Sequence, residues 1–205
     1  NTGQSGMVRF VCLGVCIVFG LAACSGGGGG DVGAGNGAPA DGFAALRDRV
    51  TTAGITPFAT LPTMGEVAYA GRVRLSLPLG GAAVARYDGD LDLRVHFGAA
   101  PDPVTGRIGN LQGGAGPVTG HLQISDGRFY PDAAAARDYQ FTAELSGTLM
   151  QNAAAHDVTA EMSGDFHGPQ GAGVAGVIAR GAVRQSDDLQ LFDGSFAAER
   201  ANSGG

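Results

Sequence analysis

The sequence has no tryptophan, and aromatic residues make up only 7% of it, so Phe, Leu and Val must supply whatever core exists. It also has no lysine-rich run. With a net charge of −6 and a pI near 5.0, the chain lacks the basic footprint that nucleic acid or an anionic membrane surface would need, and nucleic acid is excluded as a partner. The apolar run from Val11 to Ala23 falls short of the ~20 residues of a helical membrane span. Cysteine is scarce too: there are three, all at or before position 24. What the chain has in quantity is glycine, 37 of its 205 residues. Each glycine in a helix interior costs about 1 kcal/mol, so this composition leans toward β-structure.

The short apolar run has the form of a signal-peptide h-region. Met7-Val-Arg-Phe precedes it, which makes Met7 a candidate start, and it closes in Leu21-Ala22-Ala23-Cys24. Small residues before a cysteine match the bacterial lipobox, in which cleavage follows lipidation of that cysteine. Residues 1–23 are then the signal peptide, Cys24 carries lipid, and Cys12 and Cys16 leave with the signal. No free thiol remains for a disulfide framework or a thiolate metal site. Residues 24–40, with five consecutive glycines at 26–30, have too little apolar surface to offset ordering entropy. They form a flexible linker with a reach of roughly 20–25 Å. Gly33, Gly35 and Gly37 resemble a phosphate loop only in spacing, since no strand precedes them and no Lys follows.

Residues 41–64 comprise a short helix and a connector. Asp41 can cap a helix running to Ala53, with Phe43, Leu46 and Val50 at three- and four-residue spacing and Arg47, Asp48 and Arg49 facing water. The narrow stripe favours packing against a sheet wall; a plug over a barrel mouth is the alternative. Pro57 and Pro62 stop any helix, and Thr56–Pro62 is expected to run extended along the surface to the first strand.

From Glu66 the period becomes two. Val67, Tyr69, Val73, Leu75 and Leu77 share a face opposite Arg72, Arg74 and Ser76; Leu91, Leu93, Val95 and Phe97 oppose Asp92, Arg94 and His96. Shorter strands are expected over 105–111, 118–124 and 127–130. Tyr139, Phe141, Ala143, Leu145 and Leu149 alternate with Gln140, Thr142, Glu144 and Thr148. Val158, Ala160, Met162 and Phe166 follow, and a last strand covers 189–197. Asp88-Gly89, Asp126-Gly127 and Asp193-Gly194 read as hairpin turns. The expected fold is all-β: a single closed up-and-down antiparallel barrel of about eight strands over residues 65–200, a closure that removes exposed edges.

Several segments in order carry a family likeness. Tyr69-Ala70-Gly71 is followed by Phe97-Gly98, then Thr105-Gly106-Arg107-Ile108-Gly109-Asn110, then the strand Leu145–Leu149. Gly164-x-Phe166-x-Gly168-Pro169 comes next, with a short turn and Ala175-Gly176-Val177 after it. On these residues the chain resembles bacterial surface lipoproteins of the transferrin-binding protein B type. Two departures stand beside the likeness. Gly173-Val174 occupies a place where the family often has an acidic residue. There is also room for one barrel and almost no handle domain, whereas transferrin-binding protein B joins a handle to a barrel in each of two lobes.

The resemblance gives Gly164, Phe166, Gly168, Pro169, Ala175 and Gly176 a structural role. With Ser25 after the cysteine, it implies lipid anchoring at the outer membrane of a Gram-negative cell. It also implies binding of a ligand or host protein through barrel loops, in iron, haem or metal acquisition beside an outer-membrane transporter. The alternative is an adhesion or immune-evasion lipoprotein of the factor H-binding type.

Three further patterns are weighed against plain structure. Gly171-Ala-Gly173-Val-Ala-Gly176 fits the dinucleotide fingerprint, but Val177, Ala179 and Val183 continue with period two where the fingerprint needs a helix. His96, His121 and His167 fall on polar strand faces, and His156 lies at a strand start near a rim. Paired with Asp157 or Asp165 they could touch a metal or haem iron, yet they form no spaced ligand set, and solvated surface positions are expected. Ser125 and Ser163 lack a nucleophile-elbow setting, so no catalytic residue, cofactor or metal site is assigned.

Overall fold

The computed structural model describes residues 41–79, 83–113, 116–134 and 138–201. Residues 1–40, which include the expected signal peptide, Cys24 and the glycine linker, lie outside the described residues. Helix α1 (Asp41–Thr52) is followed by eight strands: β1 (Gly65–Leu77), β2 (Ala85–Phe97), β3 (Val104–Gly113), β4 (Val118–Phe129), β5 (Phe141–Gln151), β6 (Ala154–His167), β7 (Gly173–Gln185) and β8 (Asp188–Arg200). Each strand is antiparallel to the next, and β8 returns to β1, with Tyr69 opposite Arg200 and Ser76 opposite Asp193. The sheet is therefore a closed eight-stranded barrel, as the period-two pattern predicts.

Inward positions hold Val73, Leu75, Leu77, Leu93, Val95, Ile108, Leu122, Ile124, Phe141, Leu149, Met162, Phe166 and Phe196, all at most 1% exposed. Burying each such side chain contributes about 1.5–3 kcal/mol. Outward positions carry cross-strand ion pairs: Arg74–Asp88 at 2.6 Å, Arg72–Asp90 at 3.3 Å and Arg107–Asp92 at 3.5 Å. A transmembrane barrel would show the reverse, an apolar band facing outward. No helix among the described residues is long and apolar enough to cross a membrane.

Helix α1 lies on the outer wall, as its narrow stripe implies. Leu46 and Val50 pack on Ala175 of β7 and Ala197 of β8, whose small side chains let the helix approach. The Arg74 guanidinium sits 4.7 Å from the Phe43 ring centroid, and Arg49 binds Glu199 through two hydrogen bonds, at 2.6 and 2.9 Å. The side chain of Asp41, the expected cap, is outside the described residues.

The connector departs from its expected extended course. Ile55 bridges to His167, Phe58–Thr60 forms a 3₁₀ turn, and Leu61 is buried. The turn presents Phe58 edge-on to Phe129, with centroids 5.5 Å apart, so this segment rather than the helix covers the barrel mouth. We call this mouth the connector end; it gathers the starts of the odd-numbered strands. The opposite mouth is the far end.

None of the three Asp-Gly pairs makes a hairpin turn. Asp126-Gly127 is a β-bulge inside β4, placing two residues against one of β5; Asp126 has φ +55°, and the Asp102 carboxylate accepts hydrogen bonds from both backbone N–H groups at 3.0 and 2.7 Å. A Cβ on Gly127 would stand 2.5 Å from Val104 N. Asp88-Gly89 lies opposite a bulge of β3 at Asn110 (φ +52°), and Asp193-Gly194 opposite a bulge of β7 at Arg180 (φ +51°). These positions give the twist that closing eight strands demands. The β7 bulge also shifts the side-chain phase: Ile178 and Val183 point inward, while Val177 and Ala179, expected to share a face with Val183, point outward. One two-residue hairpin turn is Asn152-Ala153, both at positive φ, between β5 and β6.

Candidate binding site

The residues singled out by the family likeness assemble at the connector end. Phe166 is fully buried and lies against Tyr69, Phe97, Phe129 and Phe141, with centroid distances of 5.3 to 6.5 Å. Gly164 and Gly176 face one another across β6 and β7. A Cβ on Gly176 would stand 2.0 Å from Ser163 O and 2.8 Å from the Phe196 ring, so only glycine leaves room for that ring. Ala175 is under helix α1. Gly168 and Pro169 form the turn where the connector docks: Gly168 N–H donates to Gly54 O, Thr56 N–H to Phe166 O, and the Thr56 hydroxyl to Gly168 O. The nucleotide-like glycines enter strand β7, not a helix, so the N-terminal amide cradle that pyrophosphate requires is not formed there.

Gln140 ties this end together. Expected on a polar face, it is 5% exposed; its amide donates to Thr56 O at 2.7 Å and accepts from Phe166 N–H at 2.9 Å. Two of the four histidines also depart from expectation. His167 is 7% exposed because the end of α1 and Ile55 cover it, and His156 is 1% exposed because it points into the lumen. Burial pushes both below the ordinary imidazole pKa of 6.5, with the Asp165 carboxylate opposing the shift at His167. Burial likewise raises Asp165, against the hydrogen bond from Gln140 and the nearby imidazole. His96 stays on the surface, 3.2 Å from Glu66, and His121 is exposed.

Inside the far end stands a polar group set among leucines. Gln151 donates to the Tyr87 hydroxyl at 3.0 Å, and its side-chain oxygen and both nitrogens of His156 have no hydrogen-bond partner among the described residues. The two residues are diagonal neighbours on the inner face, since Leu149 opposes His156. Gln151 continues the inward parity of Leu145 and Leu149, the signal by which the sequence could have shown it.

On the outside, a groove of about 590 Å³ opens between the β4–β5 loop and the wall of β5 and β6. Tyr130 and Tyr139, 44% and 38% exposed, flank it, with Asp132, Asp138, Thr142 and Glu161 among its lining. Glu161 is engaged by Arg180 at 2.9 Å. Tyrosines of this kind offer rigid apolar area with a hydrogen-bonding tip, the usual anchor chemistry of protein interfaces. Sequence periodicity put Tyr139 in an inward series, but β5 begins two residues later, at Phe141.

No group of three or more His, Cys, Asp or Glu among the described residues is placed to hold a metal ion. No family model matches the chain, and neither does any curated protein.

Proposed function

We propose that this chain is a lipid-anchored outer-membrane surface lipoprotein of the transferrin-binding-protein-like kind, which binds a ligand or host protein through the outside of its barrel. The observation that carries this reading is a Leu-Ala-Ala-Cys box and glycine linker placed ahead of a closed barrel whose lumen is occupied by its own side chains. Such a body has its recognition surface in grooves and loops, and the Tyr130–Tyr139 groove is the strongest candidate. Iron, haem or metal acquisition beside an outer-membrane transporter is the role the family likeness suggests. Capture experiments with haem, haemoproteins and iron carriers test it, and uniform failure to bind overturns it. Anchoring is tested by Cys24→Ser, expected to move the protein from the membrane to the soluble fraction; continued sedimentation with membranes overturns the lipobox reading.

A second reading is favoured by the same filled lumen, which leaves the outer surface to meet another macromolecule. An adhesion or immune-evasion lipoprotein of the factor H-binding type would bind host serum proteins and show no growth defect under iron limitation.

A further inference from the structure

Helix α1 has a direction. Its C-terminal end is at the connector end, where Gly54 bonds Gly168 and Arg49 holds Glu199. Its N-terminal turn reaches Arg74, opposite Ser195 and three residues before the end of β1. Twelve residues at ~1.5 Å each span roughly 18 Å, so the helix lies along the wall and Asp41 lies toward the far end. Beyond Ser195 in the same direction, β8 continues past the last β1 pair, carrying Leu191 and Leu189 on the outer wall at 74% and 53% exposure. At ~3.4 Å per residue they stand roughly 13 and 20 Å past Ser195. Val84, 60% exposed in the β1–β2 joint, and Met150, 38% exposed on β5, are at the same end. The exposed large hydrophobics of the connector end are Met64 and two tyrosines, Tyr130 and Tyr139.

We infer that the far end of the barrel is the end turned toward the bilayer, with Leu189 and Leu191 as its principal lipid-contacting residues and the tyrosine groove turned away. The inference rests on anchoring through Cys24. Sixteen residues separate Cys24 from Asp41, and Asp41 begins the helix at the end turned toward the far mouth. Lipid supplies the affinity, and the leucines set the orientation. A contact made by aliphatic side chains suits an acidic chain that has no basic patch to offer anionic headgroups.

The test uses full-length lipidated protein in phosphatidylethanolamine–phosphatidylcholine vesicles doped with nitroxide lipid. The mature chain has no other free thiol, so a fluorophore can be placed at Asp187→Cys in the exposed β7–β8 turn or at Ala99→Cys in the β2–β3 loop of the opposite end. Quenching is expected to be about threefold stronger at position 187, and Leu189→Ser/Leu191→Ser is expected to reduce it about twofold. Equal quenching at both positions, stronger quenching at 99, or no effect of the double substitution overturns the inference. Mass analysis of the N-terminal peptide separates the two readings: lipid present without the preference defeats only the orientation, whereas lipid absent defeats the anchor and the orientation with it.

Discussion

The two ends of the barrel handle buried polarity in opposite ways. At the connector end, a segment from outside the sheet crosses the mouth and brings partners with it: Thr56 meets Phe166 and Gly168, and Gln140 bridges Thr56 to Phe166. Among the buried side-chain atoms of the described residues there, only His167 Nδ1 lacks a hydrogen bond, whereas at the far end Gln151 Oε1 and both His156 nitrogens lack one. Two of the four joints at the far end, β5–β6 and β7–β8, are two-residue turns too short to carry polar groups inward, and the β3–β4 joint supplies only Gly116 O, which accepts from the Gln151 amide at 3.4 Å among the described residues. A connector that folds over a mouth can complete its hydrogen bonding; a tight hairpin cannot. The stabilising chemistry therefore concentrates at one end and an uncompensated cost at the other.

Phe166→Ala should break that contrast most, removing the ring on which four others rest. A loss of about 3–5 kcal/mol is expected in urea unfolding, and a loss below 1 would show that the cluster does not hold the connector end. Gln140→Ala leaves Thr56 O and Phe166 N–H without partners, for an expected loss of about 2–4 kcal/mol. Amide exchange at Phe166 should accelerate in that variant, which a merely global loss would not single out.

At the far end the sign reverses. His156→Leu removes two unpaired nitrogens at similar volume and should stabilise by about 1–2 kcal/mol at neutral pH; destabilisation would show that the imidazole has an unseen partner. The same variant sharpens the pH profile. Because burial lowers both His156 and His167, the unfolded chain takes up protons first, so stability is full above the ordinary value of 6.5 and falls as pH drops below it. His156→Leu should flatten part of that fall and His167→Gln the rest. The raised Asp165 acts oppositely at lower pH, where the folded state is the first to bind its proton. The smallest effect belongs to Leu191→Ser, within about 0.5 kcal/mol, because the side chain is already in water.

Alternation made the barrel legible. A strand such as Leu91-x-Leu93-x-Val95-x-Phe97 states which side is dry without any knowledge of its neighbours. Parity does not say what covers the other side. His167 and Gln140 lie on or beside outward faces and are buried by α1 and the connector, elements about a hundred residues away in sequence. The Asp-Gly pairs mislead for a related reason. The dipeptide signals positive φ or close backbone approach, which both a hairpin turn and a bulge require, and only barrel closure distinguishes them. Of the candidate site, the residues Gly164 to Gly176 were visible as a structural motif. The tyrosine groove was not, because it depends on where β4 and β5 end.

The seam between β1 and β8 joins residues 69–76 to residues 193–200, the first strand of the barrel to the last. Contacts so remote in sequence make closure slow, and no earlier hairpin can substitute for it. Before the last strand arrives, seven strands can exist with both sheet edges open, and such edges invite pairing with other chains. Helix α1 docks on β7, β8 and β1, across that seam, and so can dock only when the last strand has arrived. Its Arg49–Glu199 contact thus reports completion: a probe on the helix would register the final step of folding and nothing before it.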